Sequence, residues 1–278
     1  KGFAVIEGEP IVYWWTKEFL DRYAKAPKLG DVAPVRLGVR TSDNVRFLRT
    51  PTELPFSQWE RYRTSLPEPA HERWVPYVKG AEGREWLEPL NCVVEWRSNG
   101  LELKLKLELA YGMSTQSPEF YFLPGIAFSM IGAGFRSRAH RFRSIIGDKG
   151  SSAFPIDIGD ALCVMNSRTS RSVVESLNPS VSFQVGDVVR IPVWPIVGHA
   201  EILSFLELAF DANERAREGS VEFRVPGSSP WRAAQSWAQW AVDRSDNLPL
   251  PPWEPNGEPP APEAHASFAV GVALGRFG

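Results

Sequence analysis

Cysteine, histidine and long apolar runs are all scarce in this chain. Its 278 residues include 2 cysteines and 4 histidines, and the cysteines, Cys92 and Cys163, lie far apart without a CxxC partner. This spacing argues against a disulfide framework or a zinc site, and predicts two reduced thiols in a cytoplasmic protein. No apolar run approaches the ~20 residues of a membrane-spanning helix, so we expect no membrane partner.

The charged residues are unevenly distributed along the chain. The net charge is −2, but residues 201–278 hold 6 Arg and no Lys against 11 acidic residues, which leaves 25 basic and 22 acidic residues in 1–200. Domains that rely on phosphate attraction are usually far more basic. The asymmetry is therefore only a weak indication of nucleic-acid binding.

Motifs for catalysis, metal binding and cofactor binding are also missing. Adenine-N6 DNA methyltransferases use an Asn-Pro-Pro-Tyr loop to hold a flipped base, but here Asn178-Pro179 is followed by Ser180 and Val181. We interpret the pair as a helix stop before a closing strand that starts near Phe183. The glycines of "IGAGFRSR" (131–138) precede a strand-like segment, which does not fit a nucleotide-binding turn. We expect no catalytic, metal or cofactor residues in this chain, although an enzyme with an unrecognised site, such as a nuclease, stays open.

The local patterns predict an α+β fold. Thr16 caps a predicted helix over 16–24, and Val35, Leu37 and Val39 alternate in a strand that a turn at 41–44 would join to a second strand in a hairpin. "LELKLKLELAY" (101–111) alternates like a strand but consists of good helix formers, so its structure stays open. Apolar spacing predicts two long helices over 196–218 and 230–244.

Several stretches, in the same order along the chain, resemble one known family. They are "GEPIVYWW", "APKLGDV", "GVRTSDNVRFLR", "WVPYVKGAEGREW", "NCVVEW", "FYFLPGIAFSMI", "GFRSRAHRF", "SLNPSVSFQVGDVVRIPV" and "FAVGVALGRFG". Together they resemble the region that follows the methyltransferase domain in PglX-like adenine methyltransferases of BREX phage-exclusion systems, and more distantly type IIG restriction-modification enzymes. The chain departs from the family at Ser42, where a glycine is usual.

The resemblance implies a target-recognition domain, which reads duplex DNA so that N6-adenine methylation is directed to a short site in phage defence. Its expected fold is a mixed or antiparallel sheet like that of TaqI-like methyltransferases and type I specificity subunits, followed by a helical spacer. The expected divisions are a connector from a missing methyltransferase domain (1–27), the recognition domain (28–195), the spacer (196–246), a Pro-rich linker (247–262) and the start of a C-terminal helical segment (263–278). S-adenosylmethionine would bind in the missing domain, so this chain would not methylate by itself.

Sequence reading requires side chains at base edges and cations on phosphates. The candidate DNA-binding residues are Arg40, Thr41, Ser42, Asp43, Asn44, Arg46, Lys79, Arg84, Arg136, Arg138, Arg141 and Arg143. The last four lie within eight residues that contain no acid, which predicts a nearby anion. The alternative is a protein-interaction module that docks other defence-system subunits through helices at 197–218 and 231–244, whose outer faces are expected to be acidic.

Overall fold

The computed structural model describes residues 12, 14–53, 62, 73–80, 84–132, 134–180, 182–245, 248–254 and 256–276. Ten helices lie within these ranges, and three of them, α2, α3 and α7, are single turns. The helices are α1 (Lys17–Lys25), α2 (Leu29–Val32), α3 (Asn44–Phe47), α4 (Arg97–Tyr111), α5 (Ile158–Asn166), α6 (Arg168–Leu177), α7 (Val185–Val188), α8 (His199–Ala216), α9 (Trp231–Asp243) and α10 (Pro262–Ala273). None of the described helices is both long enough and apolar enough to cross a membrane.

Nine short strands form two mixed sheets in the described ranges. They are β1 (Val35–Arg36), β2 (Leu48–Arg49), β3 (Trp74–Val78), β4 (Trp86–Glu88), β5 (Val93–Glu95), β6 (Ile126–Phe128), β7 (Ser137–His140), β8 (Ile145–Ile146) and β9 (Ser152–Ala153). The five-stranded sheet has the order β1-β9-β6-β7-β4, and the four-stranded sheet the order β2-β5-β3-β8. The pairs β4–β7 and β3–β8 are parallel and the others antiparallel. The α+β class is confirmed.

Each sheet has its own buried core. The five-stranded sheet packs against α5, α8 and α9, so that Ile126, Leu162, Leu206 and Ala238 belong to one cluster. Burial of a side chain such as Leu206 stabilises the fold by about 1.5–3 kcal/mol. Both helices of the expected spacer therefore share the core of the five-stranded sheet, while the division of the chain into 28–195 and 196–246 stays a prediction. The four-stranded sheet packs against α3 and α4 in a second cluster.

The predicted hairpin over residues 31–50 is wrong. Val35 pairs with Ala153 in the five-stranded sheet, whereas Leu48 pairs with Val94 in the four-stranded sheet. Between the strands, Asn44–Phe47 forms a helical turn and not the tip of a hairpin. The segment therefore crosses from one sheet to the other, because each strand finds a better partner far away in sequence than its neighbour.

The alternating segment 101–111 forms the regular part of α4. The start of α4, before this segment, is not regular helix, because Ser98, Asn99 and Gly100 all have positive φ. Leu103 and Leu107, four residues apart, are buried, while Leu101, Leu105 and Leu109 are exposed. Helix formation thus buries only one of the two leucine stripes.

The expected closing strand after Asn178 is also wrong. Asn178 ends α6 as predicted, but the following segment forms the single turn α7. Phe183, Val188 and Ile191 still return to the core of the five-stranded sheet. The segment therefore reaches the core, but as a helical turn and loop and not as a strand.

Candidate nucleic-acid interface

A cleft of about 380 Å³ opens between the α3 turn, the end of β3 and the β4 region. We call it the basic cleft. Its charged and amide side chains are those of Asn44, Arg49, Lys79, Arg84, Glu88 and Asn91. Three of the residues predicted from the sequence, Asn44, Lys79 and Arg84, therefore meet at one site although they come from three separate segments.

The α3 turn presents Asn44 to this cleft. Ser42 has φ 53°, the left-handed conformation that favours glycine, and Asp43 then caps the turn by accepting a hydrogen bond from the Arg46 backbone N–H at 3.1 Å. Phe47 is fully buried and anchors the other end. The buried Thr41 hydroxyl donates to Oδ1 of Asn44, and this hydrogen bond fixes the orientation of the Asn44 amide.

Charged groups beneath the cleft hold its wall in place. Arg138 is fully buried and forms an ion pair with Glu88, and its Nη2 also donates to the Lys79 carbonyl oxygen at 2.6 Å. Tyr77 donates from its hydroxyl to the Val39 carbonyl oxygen at 3.0 Å, and burial raises the Tyr77 pKa well above its usual value. Arg138 thus supports the segment that carries Lys79 but does not reach solvent.

Three exposed cations lie at the ends of backbone segments that are hydrogen-bonded to one another close to the cleft. Gly147 donates to the Val78 carbonyl oxygen at 2.9 Å, and Asp148 donates to the Val39 carbonyl oxygen at 3.1 Å. The residues directly after Val78, Val39 and Asp148 are Lys79, Arg40 and Lys149, and all three are exposed. Within the described part of the chain none of the three forms an ion pair, so their charge is available to an anion.

Two further residues of the cleft, Arg49 and Asn91, were not among the predicted ones. With its amide oriented so that the oxygen faces Arg84, Asn91 accepts from both terminal nitrogens of that guanidinium, at 2.8 and 3.1 Å. Arg49 donates to the carbonyl oxygens of Val45 and Leu48, each at 2.7 Å. Lys149 was missed as well, because only the pairing of β8 with β3 brings it near Gly80, where a Cβ would lie 3.6 Å from that of Lys149.

Arg46 and Asp43 belong instead to a surface network with α4. The Arg46 Nε donates to Glu102 at 2.8 Å, and Lys106 donates to Asp43 at 2.6 Å. The hydrogen bond from Lys106, followed by that from the Arg46 backbone, lowers the pKa of the Asp43 carboxyl. Ser42 is exposed beside this network and does not line the cleft.

The four arginines between 136 and 143 do not form one anion-binding surface, because each has a partner from elsewhere in the fold although the segment itself contains no acid. Arg136 pairs with Glu85 at 2.5 Å, and Arg143 donates to the Phe122 carbonyl oxygen at 3.3 Å. Arg138 pairs with Glu88, as described above. Arg141 is held by acids from the C-terminal third of the chain. The tertiary fold therefore supplies carboxylates that the local sequence does not contain.

Of the four arginines, Arg141 is the one that pairs with two carboxylates. Its side chain is 5% exposed and contacts the carboxylates of Glu222 and Asp211. Burial alone would lower the pKa of Arg141, but the hydrogen bonds and charges of Glu222 and Asp211 outweigh burial and raise it. Arg138 and Arg141 are thus structural cations that a duplex could not reach without unfolding of their surroundings.

Both cysteines are free, as the sequence predicts, and the structure shows that both are buried. Burial raises the pKa of the Cys163 thiol, which keeps it protonated. No cluster of histidine, cysteine and carboxylate side chains in the described ranges could hold a metal ion. The described chain is therefore an α+β protein whose candidate site is a cleft of cations and amides.

Comparison with known proteins adds a relationship to this geometry. No family model matches the sequence. The chain is 28% identical over 200 residues to "Adenine-specific methyltransferase PglX" of Lacticaseibacillus casei (strain Zhang), a match that covers 69% of this chain and 17% of the relative. It is 27% identical over 198 residues to "Adenine-specific methyltransferase BrxX" of Escherichia coli O9:H4 (strain HS), covering 69% and 15%.

The chain is thus homologous to PglX and BrxX adenine-specific methyltransferases over 69% of its length, which confirms the resemblance to a PglX-like region. It spans only about a sixth of the length of these relatives.

Proposed function

We propose that this chain recognises duplex DNA through the basic cleft and supplies target specificity to an N6-adenine DNA methyltransferase. The observation that carries the proposal is the meeting of Asn44, Lys79 and Arg84 at one cleft. Arginine forks and amides are the groups that read base edges, and lysines contact phosphates for register. The homology to adenine-specific methyltransferases supports this choice among the anionic polymers that a basic cleft could bind.

The cleft is far smaller than a duplex, so the DNA would lie across its rim. The α3 turn is the element that would enter the major groove, which is about 12 Å wide. Asn44, Val45 and Arg46 are all exposed on this turn, and Val45 is 87% exposed. Val45 offers an apolar contact for a thymine methyl group, and Asn44 offers its amide to an adenine edge.

The remaining groups have complementary roles in this proposal. Arg84 would exchange the Asn91 oxygen, which accepts from both of its terminal nitrogens, for a guanine edge that accepts from the same planar fork. Arg40, Lys79 and Lys149 would contact phosphates on either side of the groove. Thr41→Val would remove the hydrogen bond that orients the Asn44 amide. It is expected to weaken discrimination at the adenine position while the affinity for random DNA stays unchanged.

The wider assignment belongs to the same proposal. The two mixed sheets would correspond to a target-recognition domain of the TaqI-like or type I specificity-subunit-like kind. A methyltransferase domain that binds S-adenosylmethionine would act with it, in the cytoplasm, as part of a BREX or restriction-modification system of phage defence. The chain described here would then choose the site and leave the chemistry to that domain.

The alternative is a module that docks other defence-system subunits through acidic helices. Two acids of α8 are turned inward, because Asp211 pairs with Arg141 and Glu214 accepts from Arg217 and Ser220. The acidic surface of α8 is correspondingly reduced, and α9 contains a single acid, Asp243. These contacts favour DNA recognition over docking through the helices.

The test is a fluorescence-anisotropy titration at several salt concentrations, with duplexes enriched from a random library and with scrambled controls. We expect Lys79→Ala to weaken binding to both duplexes and to reduce the slope of log K against log salt by about 0.9. Arg84→Ala is expected to reduce the preference for the enriched duplex by about 1–3 kcal/mol.

The matched control is Arg224→Ala, which removes an exposed arginine that does not line the cleft. It should leave both affinities unchanged. Absence of binding by the unsubstituted chain even at low salt would refute the proposal, and so would equal losses from Arg224→Ala and Lys79→Ala.

A further inference from the structure

A second concave surface lies between α6 and α9, with a volume of about 440 Å³. We call it the α6–α9 surface. The residues that define it are Arg168, Arg171, Arg232, Gln235, Gln239 and Trp240. Since α9 contributes Arg232, Gln235, Gln239 and Trp240 to this surface, the expectation that its outer face is acidic is wrong.

The floor of this surface is fixed by a single carboxylate. Glu85 pairs with Arg171 at 3.0 Å and with Arg136 at 2.5 Å, and Arg171 also donates to the Gln239 side-chain oxygen at 2.8 Å. Glu85 is therefore saturated by two arginines. It cannot repel an incoming anion as strongly as a free carboxylate would.

Two arginines at the rim remain exposed. Arg168 and Arg232 have side chains that are 79% and 82% exposed, and each pairs with a carboxylate, Asp243 at 3.1 Å and Glu258 at 3.3 Å. The Arg232–Glu258 pair is exposed on both sides and contributes about 0–1 kcal/mol, so Arg232 could exchange its carboxylate for a phosphate at little cost. Asp243 is only 12% exposed, but the Arg168 side chain is in solvent and can turn from Asp243 to a phosphate. Trp240 is 60% exposed beside them and offers a flat apolar face.

The α6–α9 surface and the basic cleft are neighbours along the chain. Arg84 lines the cleft, and the next residue, Glu85, lies at the α6–α9 surface. Consecutive Cα atoms are about 3.8 Å apart, so the backbone that carries one surface passes directly into the backbone that carries the other. β4 starts directly afterwards and is an edge strand of the five-stranded sheet, where no further described strand separates the surfaces.

We propose that the α6–α9 surface is a second DNA contact, which binds phosphates of the duplex outside the segment that the basic cleft reads. An elongated polyanion fits both surfaces because its phosphates recur along the whole axis. The donors at this surface, arginine forks and glutamine amides, suit phosphate oxygens. The inference rests on the proposed DNA recognition and adds that the bound duplex extends beyond the cleft.

The experiment compares two duplexes that contain the same enriched target, one of about 12 base pairs and one of about 30, which span about 40 and 100 Å. The double variant Arg168→Ala/Arg232→Ala is expected to bind the short duplex within two-fold of the unsubstituted chain. On the long duplex we expect about ten-fold weaker binding and a salt slope reduced by about 1.8, for two lost phosphate contacts. Lys79→Ala should weaken both complexes, and Arg224→Ala neither.

Unchanged binding of the long duplex by the double variant would overturn the second contact while the cleft proposal survives. Equal losses on both duplexes would overturn it too, because the arginines would then act on the segment at the cleft. If the unsubstituted chain binds neither duplex, DNA recognition itself fails and the second contact fails with it. Binding of an acidic peptide that depends on Arg168 and Arg232, with the long duplex unaffected, would assign the surface to a protein partner instead. A thermal melt of each variant confirms that the chain is folded.

Discussion

The guanidinium of Arg141 donates to both carboxylate oxygens of Glu222, 81 residues further along the chain, at 2.6 and 2.9 Å. Both side chains are 5% exposed. Because the pair is buried, removal of one partner leaves an uncompensated charge. This contact ties the segment after β7 to the segment after α8, and it makes Arg141 part of the fold.

Arg141→Ala is therefore expected to lower the free energy of unfolding by about 3–5 kcal/mol. Urea denaturation followed by circular dichroism measures this change. Arg136→Ala is the matched control, since the Arg136 side chain is 40% exposed and its pair should contribute about 1 kcal/mol or less. Equal losses from the two substitutions would contradict the buried ion pair.

Ser42→Gly is expected to stabilise the chain. A left-handed conformation costs a residue with a Cβ about 1–2 kcal/mol, while glycine adds an entropic cost of about 0.5–1 kcal/mol, so the net gain is about 0.5–1 kcal/mol. Thermal and urea unfolding measure it. Ser114→Gly, at an exposed position without a positive φ, should destabilise instead. A loss of stability in Ser42→Gly would show that the α3 turn does not adopt this conformation.

The stability of the chain is expected to fall below about pH 6.5. Burial, and then the charge of Arg138, lower the pKa of His140 from 6.5 to about 3. Between these values only the unfolded chain binds the proton, so unfolding becomes easier as the pH falls. At about pH 5.5 the loss is about 1.4 kcal/mol relative to about pH 7.5.

Urea denaturation at the two pH values tests this prediction, with His140→Gln as the comparison. The glutamine can still hydrogen-bond to Ser152, whose Oγ lies 3.0 Å from the His140 Nε2. The variant should lose the pH dependence that His140 contributes. The same pH dependence in both proteins would locate the titrating group elsewhere.

Leu103→Ala and Leu105→Ala are expected to differ strongly, because α4 is a helix. Leu103 is fully buried, and its truncation should cost about 2–5 kcal/mol. Leu105 is 45% exposed, so its truncation should cost about 1 kcal/mol or less. In a strand the two leucines would share one face and be affected alike. Similar losses in urea denaturation would therefore contradict the helix.

Local signals predicted the elements whose structure depends on nearby residues. Thr16 caps α1 by accepting from the Phe19 backbone N–H at 3.2 Å, as expected of a threonine before an amphipathic stretch. α8 and α9 follow the apolar spacing, and Asn178 ends α6. The homology to a PglX-like region was likewise visible in the order of short motifs.

Strand pairing and charge pairing could not be predicted in the same way. The 35–49 segment contains two strands that look like a hairpin, yet their partners, Ala153 and Val94, lie more than 40 residues away in the chain. The acids that pair with Arg138 and Arg141 likewise lie far away in the chain, so the residues next to the arginines do not indicate them. Among the candidate site residues, the cleft keeps Asn44, Lys79 and Arg84 and gains Arg49 and Asn91.

The sequence by itself determined the class of fold, the positions of α1, α8 and α9, the free thiols and the relationship to adenine-specific methyltransferases. These follow from composition, periodicity and motifs that act over a few residues. Only the tertiary structure decided which cations face solvent, because an arginine is neutralised by whichever carboxylate the fold brings within hydrogen-bonding distance. Arg40 and Lys79 remain exposed and Arg141 does not, and this difference rests on Glu222 and Asp211, far along the chain.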